Sequence, residues 1–149
     1  MELFDWLFII SSLIFFSSII GVFILTANNK TDKVKVFGVI FAVLILPIGA
    51  ILINYIVIGK PLKIIIYVIL ILIYLLVEFL LDQVFKIDFR SKPSTHVPYI
   101  IIEWVACYSF LFGSLALDLT WGWVVFFFFL AFLIALVYNI VKRKKMKEE

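Results

Sequence analysis

The chain has one cysteine, one histidine and few charges. Each shortage narrows the chemistry it can perform. With Cys107 alone, no intramolecular disulfide and no dithiol redox pair can form, and cysteine usage says nothing about compartment. Cys107 lies deep in an apolar run, where a thiol is a small packing residue rather than a reactive one. A single histidine, His96, cannot supply a histidine pair for haem, and with carboxylates alone it is not a zinc pattern. No Gly-rich phosphate loop and no catalytic signature occurs anywhere in the chain, so no cofactor is evident. Only 15% of residues are charged, against about 25% in an ordinary soluble domain. The net charge of +3 could suggest nucleic acid, but the basic residues sit at the ends of apolar runs and in the tail. That distribution fits membrane orientation and leaves no phosphate-binding face, so no nucleic-acid partner is expected.

Apolar residues are abundant. They make up 66% of the 149 residues, and the mean hydropathy is +1.24, whereas soluble domains are roughly 45–50% apolar. A water-soluble core of this length could not hide the surplus, which must face lipid. The expected fold is all-α and integral to the membrane, with the bilayer as first partner and a multi-pass place in the cell membrane. The length fits a single transmembrane domain over 1–149, with no room for a soluble catalytic domain beside the spans. The start, Met-Glu-Leu-Phe-Asp-Trp, carries two acids where a secretory signal carries positive charge. The first apolar run is therefore expected to remain as a span.

A helix needs about 20 mostly apolar residues to cross the hydrocarbon. Five stretches qualify: about 6–27, 34–58 (broken by Pro47 and Gly49), 62–81, 97–117 and 121–141. Left undivided at Asp118, the last two would form one helix of about 67 Å at 1.5 Å per residue, longer than any bilayer is thick. The connections at Gly59-Lys60-Pro61 and Asp118-Leu119-Thr120 allow only helical hairpins. The longest connection runs from Asp82 to His96. Five spans place Lys60 and Lys63 on one side and the other eleven basic residues on the opposite side. Basic residues collect in the cytoplasm, so the expected five-transmembrane-helix bundle has its N-terminus outside and its C-terminus cytoplasmic. Trp6, Trp121 and Trp123 then mark the outer interface. The charged tail, Lys142 to Glu149, is expected to fray, with its Lys-Arg-Lys-Lys run against anionic headgroups.

Ionisable residues in or beside spans are costly and mark candidate sites. Glu78 and Asp82 share a helix face with Tyr67 and Tyr74. His96, Tyr99, Glu103 and Cys107 follow one another at helical spacing on the fourth span. Both stripes run toward the cytoplasmic end, and the connection between them carries Asp88, Arg90 and Lys92. The candidate binding cluster is therefore Glu78, Asp82, Glu103, Asp88, Arg90, His96 and Tyr99, lying roughly 5–9 Å below the interface. A purely structural role has equal standing: Arg90, Lys92 and His96 could pair with the carboxylates and simply hold two helices together. If the cluster takes a metal, its oxygen donors suit a divalent cation such as Mg²⁺ or Ca²⁺. Ser17-xxx-Gly21, Ser109-xxx-Gly113 and Ala131-xxx-Ala135 fit close helix packing, read as packing within the chain before a dimer seam. Pro47 can free a backbone carbonyl in the second span, and Asn54 on the same helix could repair packing or line a cavity.

Three functions follow. The first is binding or transport of a proton, cation or small solute through the carboxylates, with a homo-oligomer or larger membrane complex implied by the small size. The second is a membrane enzyme acting on a lipid headgroup, with Arg90 and Lys92 holding phosphate and the carboxylates serving as acid, base or metal ligands. The third is a non-catalytic accessory subunit. Binding or transport ranks first, and whether the chain is an enzyme stays undecided at this level.

Overall fold

The computed structural model describes residues 1–86 and 93–149. All regular structure among them is helical: α1 (Leu3–Ala27), α2 (Thr31–Ile58), α3 (Leu62–Phe79) continued by a π turn (Leu80–Val84), α4 (Pro93–Leu117) and α5 (Leu119–Glu148). Among the described residues, five helices are long and apolar enough to cross a membrane. Each helix packs on its neighbour in sequence, and α1 also packs on α5, which closes the ring.

The helices stop and start where local chemistry requires it. After α1, Asn29 takes a left-handed φ of 57°. This lets Lys30 N–H reach the Leu25 carbonyl at 2.9 Å and Asn29 N–H reach Thr26 at 3.2 Å, a Schellman end. Gly59, with φ 71°, repeats the motif after α2 through Lys60 N–H to Tyr55 at 3.0 Å. At the third hairpin a single residue does both jobs. Asp118 N–H closes α4 on Ser114 at 3.0 Å, while its Oδ1 accepts from Trp121 N–H at 2.9 Å and caps α5.

Three expectations are corrected. The second span is not broken, because α2 runs through Pro47 from Thr31 to Ile58. Proline costs a helix one N–H, which a buried span tolerates by local adjustment. The connection expected from Asp82 to His96 is shorter at both ends. The third helix continues as the π turn through Val84, with Phe85 N–H on the Leu80 carbonyl at 2.8 Å. The fourth helix begins a turn early at Pro93, since proline is pre-set for the first helical position. The tail is helical to Glu148. Lys142 bonds Asn28, and Met146 accepts from Asn29, so the tail is docked against the α1–α2 turn.

Aromatic rings fill the centre. Phe15 of α1 meets Phe41 of α2 at 5.7 Å, Tyr74 of α3 at 5.8 Å and Phe110 of α4 at 4.6 Å. Phe16 meets Phe129 and Phe132 of α5 at 6.0 and 6.2 Å. Tilted and edge-on ring pairs at such distances add to area burial. Close approach is bought with glycine. A Cβ on Gly21 would strike the Phe37 ring, and one on Gly113 would strike Phe8, so both pack within the chain. Exposed Val36, Val39, Val43, Leu46, Ile53 and Val57 cover the outer face of α2, a surface suited to lipid rather than water. The two ends of the bundle differ in charge. One holds the N-terminus and Lys60; the other holds the α1–α2 turn and the basic tail and is called the basic end below.

Candidate functional site

The polar face expected on α3 turns inward. Tyr74 and Glu78 are buried, Glu78 with only 2% of its surface exposed, and Tyr67 and Asp82 are half-buried. From α4, Tyr99 and Cys107 are buried, while His96 and Glu103 are half-buried. The two stripes meet. Tyr99 OH donates to Glu78 Oε2, and the hydroxyls of Tyr74 and Tyr99 are 3.1 Å apart. A phenol has one proton. With Tyr99 committed to Glu78, Tyr74 is the donor to Tyr99. The result is a directed chain, Tyr74 to Tyr99 to the carboxylate, joining α3 and α4.

This chain lies between two cavities near the basic end. The larger, about 270 Å³, draws its lining from all five helices, chiefly α1, α4 and α5, and includes Tyr74, His96, Tyr99, Glu103, Asn139 and Arg143 with apolar Phe23, Phe41, Trp104 and Phe132 among others. The smaller, about 120 Å³, is lined by Lys35, Gly38, Glu78 and Asp82. Val22 and Phe41 border both and form the dividing wall. Glu78 thus belongs to one cavity and its tyrosine partners to the other.

The remaining candidates divide. Asp82 does not join the tyrosine chain; its carboxylate sits over Gly38 of α2, whose missing side chain makes the space, and accepts from Gln83 at 3.2 Å. His96 reaches the larger cavity, and its Nδ1 is buried without a hydrogen-bond partner among the described residues. Asp88, Arg90 and Lys92 lie outside the described residues. Among the described residues no three His, Cys, Asp or Glu side chains are grouped to hold a metal ion.

Two contributors were missed in the sequence. Asn139 and Arg143 of α5 line the larger cavity, and Asn139 Nδ2 donates to the Phe23 carbonyl of α1 at 3.1 Å. The available signal was an amide near the end of an apolar run with a guanidinium four residues on, hence on the same face. A second polar cluster, at the opposite end, is also absent from the sequence reading. Buried Asp5 accepts from Tyr55 OH at 2.8 Å and Lys60 Nζ at 3.1 Å, and takes the Glu2 N–H at 3.2 Å. Both carboxylate oxygens are engaged, and Asp5, Tyr55 and Lys60 line neither of the two cavities. That is a clasp between α1 and the end of α2.

The chain matches no family model, no curated protein and no solved structure.

Proposed function

We propose that the chain crosses the membrane five times, with the basic end in the cytoplasm, and binds or carries a proton or small cationic solute at Glu78 and Glu103. The carrying observation is Glu78: a buried carboxylate inside an apolar helix, hydrogen-bonded through Tyr99 and Tyr74 across the wall between two cavities. Carboxylates at such depth are costly and belong where a charge or proton is handled. A tie that only held two helices together would need no cavity on either side of it. Basic residues on the docked tail and the α1–α2 turn support the orientation, since cytoplasmic ends collect lysine and arginine.

A second reading draws on Arg143 and His96 at the larger cavity. A guanidinium suits phosphate, so a lipid headgroup held at the inner interface, with or without chemistry, is the alternative. An accessory role in a larger complex is the third, and a stoichiometric co-purifying partner would favour it.

Thermal stability in detergent decides first. Wild type and the Glu78→Gln, Glu103→Gln double variant would be melted across pH and a panel of K⁺, Na⁺, Mg²⁺ and Ca²⁺. A ligand at a hundred times its Kd stabilises by about 2.7 kcal/mol, which is easily seen. We expect a proton- or cation-dependent rise in wild type that the variant lacks. Identical responses from both proteins would defeat the proposal.

A further inference from the structure

We propose that the larger cavity is a binding site for a small zwitterion, its ammonium at Glu103 among aromatic walls and its acidic group at Arg143. This rests on the reading of Glu103 as a binding carboxylate and adds the class of solute.

The lining selects against a bare metal ion. Inorganic cations need several oxygen ligands to replace their water, and no three acidic or histidine groups come together among the described residues. The walls beside Glu103 are instead rings: Tyr74, Tyr99, Trp104 and Phe132. A ring face attracts a cation within about 6 Å of its centre; a fully alkylated ammonium exchanges water for such faces most easily, while a primary one also needs the carboxylate for its N–H donors. Glu103 is already partnered, so the ammonium enters by exchange.

A positive charge on the same lining completes the class. Arg143 on α5 is exposed and lines the same space. Its guanidinium would repel a simple cation, but it forms paired hydrogen bonds with a carboxylate. A ligand carrying both signs uses both residues. Size agrees as well: about 270 Å³ is just under the roughly 300–1,000 Å³ of pockets for drug-sized ligands, so the occupant is small.

Isothermal titration calorimetry in detergent would test glycine, β-alanine and γ-aminobutyrate, which vary the ammonium–carboxylate separation, and glycine betaine, which keeps glycine's separation and alkylates the nitrogen, with tetramethylammonium as the cation-only control. We expect saturable binding of at least one zwitterion to wild type and at least a tenfold loss in both Glu103→Gln and Arg143→Gln. Arg143 is exposed, so its variant keeps the test valid if Glu103→Gln fails to fold. Absence of binding by all four zwitterions, or affinity unchanged in Arg143→Gln, would overturn the proposal. If that happens while the pH or cation response of wild type is still lost in the Glu78→Gln, Glu103→Gln protein, the carboxylate reading stands and only the zwitterion falls. If both responses are missing, both fall.

Discussion

Tyr99 holds the centre of the hydrogen-bonded chain, giving its proton to Glu78 and taking one from Tyr74. Tyr99→Phe removes a donor from a buried carboxylate and an acceptor from Tyr74, and leaving such groups unsatisfied costs about 1–3 kcal/mol. Tyr74→Phe removes only the terminal donor, a loss nearer 0.5–1.5 kcal/mol for one hydrogen bond. We expect both to destabilise the protein, Tyr99→Phe more, as read by unfolding in detergent. The reverse order would mean that Tyr74 carries a partner beyond Tyr99. That these residues share a polar face was legible, because a stripe at helical spacing needs only periodicity. The exact pairing was not. Asp82 and Glu78 look alike in sequence, yet one turn separates a carboxylate on Tyr99 from a carboxylate over Gly38. In sequence Asp5 reads only as one of two acids before the first apolar run, and its bond to Lys60 depends on which ends of α1 and α2 adjoin.

Glycines show how one substitution changes sign with its surroundings. Gly49 lies inside α2, and a Cβ there would meet nothing within 4 Å. Gly49→Ala should therefore stabilise by up to about 1 kcal/mol from helix propensity. Gly122, in the first turns of α5, is different: a Cβ would come within 2.6 Å of the Leu115 backbone on α4. That atom cannot rotate away, so Gly122→Ala must push the hairpin apart at about 1–3 kcal/mol, the usual overpacking cost. Melting of the two single variants checks the pair, and a loss at Gly49 or a gain at Gly122 would contradict the packing described. The five helices were legible from apolar length alone, and the two tight hairpins from their short connections. The π turn after α3 and the helical tail were not, because they are accompanied by a backbone hydrogen bond and by contacts to the α1–α2 turn that hydropathy does not register. Asp82, Gln83 and Val84 read as the start of a loop by polarity, and the helix continues over them.

Charge divides the bundle along its length. Lys30, Lys33, Lys35, Lys86 and the five basic residues of the tail fall at one end, with Lys60 and Lys63 at the other. The docking of Lys142 on Asn28 and of Met146 on Asn29 means this is a property of the folded molecule and not of a loose tail. In a membrane such an asymmetry biases orientation, and in the proposed orientation the site near the basic end opens toward the cytoplasm. The expected arrangement can be read with a thiol-specific, membrane-impermeant maleimide, because the native Cys107 is fully buried and should stay silent. In intact cells, cysteine placed at Lys60 or Leu119 should label directly. Cysteine placed at Lys145 should label only after the membrane is opened. Labelling of Lys145→Cys in intact cells together with protection of Lys60→Cys would invert the orientation. Glu78, Glu103 and both cavities would then face the outside, and a solute drawn from the cytoplasm could no longer be their ligand.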